Sequence, residues 1–404
     1  MKEAFIYYGK RTPIGRHGGG LSGVRPDDLA GNLIAKVVAG SGFSAEDIED
    51  VVLGCTNQAG EDSRNVARHA ALIAGLPVSV GGITVNRLCA SGLAAVADAA
   101  RAINTGQGEL FVAGGVESMS RAPFAMSKAD KAFSREVQVF DTTIGARFPN
   151  RRISKAFGDD TMPQTADNVA RDFQISRAAS DRFALASQVN YAKAKAAGFY
   201  ADELEPVEVA GAKRGQTTSV AEDEHPRADA SAERLAALSP LFEGGVVTAG
   251  NASGINDGAA ALILGSRDAG EKAGVQPIAV IRAVAVAGVE PRIMGIGPVP
   301  ASQKALERAG LSLNDIDVIE INEAFASQVL GCLKGLGLPL DDARVNANGG
   351  AIAIGHPLGA SGARLALTAA RRLQAEQGRY ALVSLCIGVG QGMAMILERG
   401  RDSA

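Results

Sequence analysis

Four cysteines and four histidines carry most of the chemistry this chain could do: Cys55, Cys89, Cys332 and Cys386, with His17, His69, His225 and His356. No CxxC and no HExxH occurs, so neither a zinc site nor any other metal is expected. What remains is a nucleophile and a base. Cys89 stands in "TVNRLCASGLAAVADAARAI" (84–103), where the strand-like "GITVN" gives way to a helix of small side chains. A thiol there meets unpaired N–H groups and the positive end of the helix dipole, which favour a thiolate, and together with His356 they are expected to make one near neutral pH. The competing reading is a packed interior thiol. Ala90, Ser91 and Gly92 favour the site, because they let a substrate approach the backbone closely.

Three further motifs can partner that thiol. "NANGGAIAIGHPLGASG" (346–362) sets His356 between Gly355 and Pro357, ahead of a second small-residue helix. A lone histidine is ordinarily structural; here it can act as the base for a cysteine. "EINEAFASQ" (320–328) places Asn322 and Glu323 after a hydrophobic strand, where a carboxamide either orients a base and water or caps a turn. "SLCIGVGQG" (384–392) ends an apolar strand on Cys386, followed by Gly388, Gly390 and Gly392. As a dinucleotide motif it is weak, since "MAMILE" continues as a strand and no acidic residue follows at the usual spacing. A glycine turn offering N–H donors to an oxyanion suits it better.

The elements that hold these residues are duplicated. Shifted by 270 positions, "LCASGLAAVADAARAINTGQG" (88–108) overlies "LGASGARLALTAARRLQAEQG" (358–378) with nine identities, Ser91 and Ser361 among them. "GFSAEDIEDVVL" (42–53) likewise echoes "GLSLNDIDVIEI" (310–321), each a helix-to-strand approach. A repeat this long is a doubled α/β domain and no solenoid. It places the Cys89 and His356 helices near one pseudo-two-fold axis. The middle, 122–246, has no counterpart and reads as an inserted lid or binding module. Its stretch "ADNVARDFQISRAASDRFALASQVNYAKAKAAG" reads as one amphipathic surface helix. The expected units are 1–121 with 247–275, the insert 122–246, and 276–404.

Composition narrows the partners. The 404 residues are 46% hydrophobic and 21% charged with net charge −3, a globular balance without the basic stripe that nucleic acid or an anionic membrane demands. Two long uncharged runs, 70–86 and 380–397, are broken by glycine and proline, and read as buried strand–turn–strand segments instead of membrane spans. "MKEAFIYYGKRTPIG" has no apolar leader and "RGRDSA" no retention or peroxisomal signal, so a cytoplasmic protein with free thiols is expected.

Taken in order, "LCASG", "GGVESMSRAPF" (114–124), "VTAGNASGINDGAAAL" (247–262), "NEAFA" (322–326), "GHPLG" (355–359) and "CIGVGQG" resemble the motifs of the thiolases across nearly the whole chain. The resemblance implies an α/β fold, a duplicated αβαβα five-layer core with an inserted loop domain, in a homodimer or homotetramer. It implies that Cys89 accepts the acyl group, His356 deprotonates it, and Cys386 exchanges a proton with the α-carbon of acetyl-CoA. Asn322 would hold a water that forms one oxyanion hole with His356, and the N–H groups of Cys89 and Gly388 the other. Coenzyme A is implied as co-substrate, with no tightly bound cofactor, contacted by Met162, Arg227, Phe242, Ala249 and Ser253, while Phe325 lines the acyl end.

Two positions depart from the family pattern: Ala347 replaces the usual Pro in "NANGG", and Thr161 precedes Met162 where acetoacetyl-CoA-specific members often carry His. "CTNQAGEDSRNVARHAAL", "DTTIGARFPN" and "GDDTMPQTADNVARDF" are more similar to the 3-oxoadipyl-CoA thiolases. The expected reaction is thiolysis of a 3-oxoacyl-CoA, 3-oxoadipyl-CoA first. The alternatives are a broad-range 3-ketoacyl-CoA thiolase, an acetoacetyl-CoA thiolase and, more remotely, a non-catalytic acyl-CoA or lipid carrier. A decarboxylating ketosynthase is disfavoured by Cys386.

Overall fold

A computed structural model describes residues 2–211, 213 and 215–400. The final residues of the expected last unit, 401–404, therefore lie outside the described residues, as do 212 and 214 within the expected insert. The first half runs β1 (Phe5–Arg11), α1 (Pro26–Gly40), β2 (Asp50–Gly54), α2 (Val66–Ile73), β3 (Ile83–Val85), α3 (Ser91–Asn104) and β4 (Leu110–Ser118). The middle of the chain adds α4 (Met162–Asp172) and α5 (Arg177–Ala196), and the chain returns in β5 (Asn256–Gly265). The second half follows as β6 (Ala279–Gly288), α6 (Pro298–Ala309), β7 (Val318–Ile321), α7 (Ala326–Leu336), α8 (Leu358–Ala375), β8 (Tyr380–Ile387) and β9 (Gln391–Arg399).

The strand order repeats. The first half pairs as β3-β2-β4-β5-β1, with β2 parallel to β3 and β4 and the other pairs antiparallel. The second pairs as β7-β8-β9-β6 with the same directions, and Val345 bridges Ile319 in parallel where β3 stands in the first copy. The two half-sheets touch over a short joint, Phe5 and Ile6 of β1 against Val280 and Ala279 of β6. β4 and β8 are buried along nearly their whole length, which is why they read as unbroken apolar or small-residue runs without alternation.

Helices cover both faces of each half. Leu33, Ile34 and Val37 of α1 pack on Val51, Leu53 and Ile263, and Val329 and Leu333 of α7 pack on Ile319 and Ile321. Between the sheets, α3 and α8 share one core of Leu93, Val96, Ile103, Leu365 and Leu373 with Val52, Leu262, Val383 and Leu397. The result is the five-layer αβαβα arrangement. Complete burial of a side chain such as Leu93 stabilises the core by about 1.5–3 kcal/mol. The crossing of α3 and α8 depends on two repeat-related glycines. A Cβ on Gly92 would lie 2.5 Å from the Gly359 carbonyl oxygen, and one on Gly362 2.3 Å from the Leu93 nitrogen.

The middle of the chain is tied to both halves by buried polar contacts. The Arg11 guanidinium donates to Asp223 at 2.6 and 2.9 Å and to Glu203 at 2.5 Å. Tyr191 donates to Asp223, and Thr368 of α8 to Glu203 at 3.0 Å. Pairing of this kind offsets the cost of burying these charges.

Two readings of the sequence need correction. Residues 70–86 are not strand–turn–strand: α2 occupies their start and only β3 is extended. Residues 166–198 do not form one surface helix: the chain breaks after Asp172, with Gln174 at φ +52°, and Ala166, Val169, Ser187 and Tyr191 turn inward. Among the described residues no helix is long and apolar enough to cross a membrane.

Candidate active site

Cys89 is presented by a strained turn between β3 and α3. Leu88 has φ +47°, a left-handed conformation costly for a residue with a bulky side chain. Side chains hold it there: Asn86 Oδ1 accepts the Leu88 N–H at 2.9 Å, and Ser91 Oγ accepts the Arg87 N–H at 2.8 Å while donating to the Leu88 carbonyl at 2.7 Å. Opposite, β8 and β9 are joined by Gly388, Val389 and Gly390, with Val389 at φ +64°. The Gly388 N–H is directed at the Cys89 thiol.

Burial pushes that thiol up to about 11, against the pull of the Gly388 and Cys89 N–H groups. The sequence-based expectation of a thiolate near neutral pH is thus overturned for the free protein, because desolvation outweighs the backbone dipoles. For such a thiol to serve as a nucleophile, a base has to take its proton.

The candidate base, His356, stands in the loop ahead of α8, the helix that crosses α3 at Gly92 and Gly359. Gly355 enters its loop at φ +112°, where an added Cβ would stand 2.7 Å from Asn256. The Asn256 side chain accepts the His356 N–H at 2.9 Å. The ring's Nδ1 is 2.6 Å from Ser361 Oγ, and that hydroxyl donates to the Pro357 carbonyl at 2.9 Å. Each bond has a donor only if Nδ1 carries the proton, which leaves the Nε2 lone pair facing the Asn322 amide at 3.3 Å. Burial first, then the nearby Arg364 charge, hold the imidazole down to about 3, so it is neutral at physiological pH. Asn322 directly follows β7, anchored by its N–H to the Ser384 carbonyl at 2.9 Å, and its own Oδ1 is buried with no protein donor.

Cys386 lies on β8, 1% exposed, its sulfur close enough to Cys89 for their charges to interact. It shares a buried apolar cluster with Val247, Met294, Ala324 and Phe325, against which Met162 packs. The loop containing Ser253 joins this group, its N–H donating to the Ala324 carbonyl at 3.0 Å. Ala249 in the same loop is exposed, as are Phe242 and Arg227. Arg227 donates its backbone N–H to Gln188 and lies beside His225, whose ring packs on Gly254.

The sequence reading missed Glu117 and gave Glu323 and Ser361 no positioning role. Glu117 is buried and accepts N–H bonds from Thr56, Asn57 and Gly359, fixing the start of α8 to the first half. Glu323 accepts from Ser187, Asn346 and Ile352, fixing the His356 loop to α5. Ser361 was visible as an identity of the repeat, but its role depends on a fold the repeat does not spell out. No group of three His, Cys, Asp or Glu among the described residues could hold a metal ion.

Residues 4–268 match the thiolase N-terminal domain and 275–399 the thiolase C-terminal domain. The chain is 60% identical to a beta-ketoadipyl-CoA thiolase of Escherichia coli, over 99% of this chain and all of that protein. It is 59% identical, with the same coverage, to the 3-oxoadipyl-CoA/3-oxo-5,6-dehydrosuberyl-CoA thiolase of Escherichia coli K12. The crystal structure of the Bacillus anthracis acetyl-CoA acetyltransferase superposes with TM-score 0.92 at 39% identity, covering 99% of both chains. The duplicated halves, the thiol and imidazole at their junction and these likenesses agree: the chain belongs to the thiolase family and is an acyltransferase.

Proposed function

We propose that this chain cleaves 3-oxoadipyl-CoA with coenzyme A, giving succinyl-CoA and acetyl-CoA. The observation that carries the reading is end-to-end identity near 60% to thiolases named for that substrate. Cys89 Sγ attacks the C3 carbonyl as His356 Nε2 accepts its proton. The C2–C3 bond then breaks, its electrons forming the acetyl-CoA enolate, and Cys386 protonates C2. Coenzyme A enters next, gives its thiol proton to the base Cys386 has become, and displaces the succinyl group from Cys89, which regains its proton from His356.

Asn322, with a held water and His356, stabilises one oxyanion, and the N–H groups of Cys89 and Gly388 the other. The strained turns support this assignment by aiming a donor at the reacting sulfur. Coenzyme A is a co-substrate bound through Met162, Arg227, Phe242, Ala249 and Ser253, with Phe325 at the acyl end and no tightly bound cofactor. The enzyme works in the cytoplasm as a homodimer or homotetramer.

The test is CoA-dependent loss of the 3-keto enolate absorbance with 3-oxoadipyl-CoA beside acetoacetyl-CoA. A kcat/KM at least about tenfold higher for the dicarboxylic substrate is expected, a preference of about 1.4 kcal/mol. Equal or reversed preference replaces this reading with a generalist or acetoacetyl-CoA thiolase. No turnover of either points to a carrier.

A further inference from the structure

One buried cation has no part in the chemistry above. Arg364 on α8 is 1% exposed, and none of its three guanidinium nitrogens has a hydrogen-bond partner. The other fully buried arginines differ: Arg11 is paired to Asp223 and Glu203, and Arg372 to Glu320. An unpaired buried charge is costly, so a side chain retained in this state calls for a reason. Its position supplies one. Ser361, Arg364, Thr368 and Arg372 follow at helical spacing along α8, and Ser361 is the residue that holds His356 Nδ1. At the position related to Arg364 by the repeat, α3 carries Ala94, so the charge stands only on the imidazole's helix.

We propose that Arg364 is a positioning residue for acyl transfer, a fixed positive charge behind His356 that adds to the effect of burial in keeping Nε2 open to the Cys89 proton. The inference rests on the assignment of His356 as the base. Around the imidazole, Asn322 and Ser361 occupy the two nitrogens and are not titratable. Arg364 is the charged group that acts on the ring. Glu320 and Glu323 from the β7 side, and Tyr200 from the middle of the chain, feel the same guanidinium. Glu320 Oε2 is also without a donor, so neither carboxylate closes a hydrogen-bonded pair that would cancel the charge.

Histidine-labelled NMR of the full-length protein tests this without relying on turnover, the His356 signal being identified by its loss in His356→Gln. The wild-type ring should remain neutral to below about pH 5, against an ordinary value of 6.5. Arg364→Met and Arg364→Gln, two neutral variants in case one fails to fold, should raise the midpoint by about one pH unit or more. The acid limb of kcat/KM should move by the same amount, and Arg364→Lys should restore both. A wild-type ring titrating near 6.5 overturns the inference whichever variant folds. So does an unchanged midpoint in a folded neutral variant. If thiolysis fails but the midpoint moves, the electrostatic role stands and the proposed reaction falls. If thiolysis is intact and the midpoint is unmoved, only the role of Arg364 falls.

Discussion

Residues 86–92, Asn-Arg-Leu-Cys-Ala-Ser-Gly, and residues 356–362, His-Pro-Leu-Gly-Ala-Ser-Gly, are the same turn twice, each opening a central helix. Four of the seven positions are identical, and the differences divide the chemistry. Cys89, the proposed nucleophile, corresponds to Gly359 in the repeat, and His356, the proposed base, to Asn86. Gly359 has no room for a side chain, because a Cβ would sit 2.3 Å from the Val116 carbonyl oxygen. The third difference is less obvious. In the first turn the Ser91 hydroxyl accepts the Arg87 N–H. Pro357 stands in that place in the second turn and has no N–H to give. Ser361 Oγ is therefore free to accept from His356 Nδ1, which fixes the tautomer. The two turns differ by one thiol, one imidazole and one absent N–H donor.

The largest expected effect breaks the pairing altogether. Cys89→Ser should lower thiolysis by on the order of 10⁴-fold, because a hydroxyl in that pocket is far harder to ionise. Substantial residual thiolysis in a steady-state assay would remove Cys89 as the nucleophile. The next effect concerns the free thiol alone. A thiol raised to about 11 is protonated at neutral pH, and its reactive fraction grows about tenfold per pH unit below that value. Inactivation by iodoacetamide should accordingly climb from pH 7 to 10 without levelling. A plateau near pH 8 would mean that the helix terminus governs the sulfur after all.

The smallest effect sharpens the comparison by making one substitution in both copies. Ser361→Ala removes the bond to Nδ1 and should lower kcat/KM about tenfold, the worth of one hydrogen bond to a reacting group, with Tm nearly unchanged. Ser91→Ala removes two backbone contacts from the strained Leu88 turn and should cost about 1–2 kcal/mol of stability in denaturant unfolding. Equal kinetic and stability losses in the two variants would erase the distinction drawn between the turns.

Much of this is legible in the amino-acid sequence. The repeat of 88–108 in 358–378 announces two halves and the pairing of α3 with α8, since small residues at helical spacing write close packing directly into sequence. Cys386 at the end of an apolar strand and Asn322 after another are legible for the same reason. The ionisation of Cys89 is not, because local spacing reports the helix dipole while desolvation is set by β8, β9 and their turn, far away along the chain. Arg364 hides for a related reason: within "GASGARLAL" it reads as a surface charge on an amphipathic helix, and only the layer packed above it makes it internal. Residues 166–198 mislead because a one-residue excursion to positive φ at Gln174 leaves no strong breaker in the sequence.

The duplicated hairpin carries one further consequence. In the second half, Ile387 and Gln391 are register partners joined by three residues; in the first, Ser118 and Asp257 are register partners, and everything from 119 to 256 passes between them. The ends of that long excursion are thus held a strand spacing apart by the sheet itself. Loop-closure entropy grows only with the logarithm of length, so opening a tight turn to such a span costs about 3 kcal/mol. The length of the middle of this chain is therefore uncoupled from the sheet: residues 119–256 lie between two strand ends whose register does not depend on how far the chain travels from one to the other.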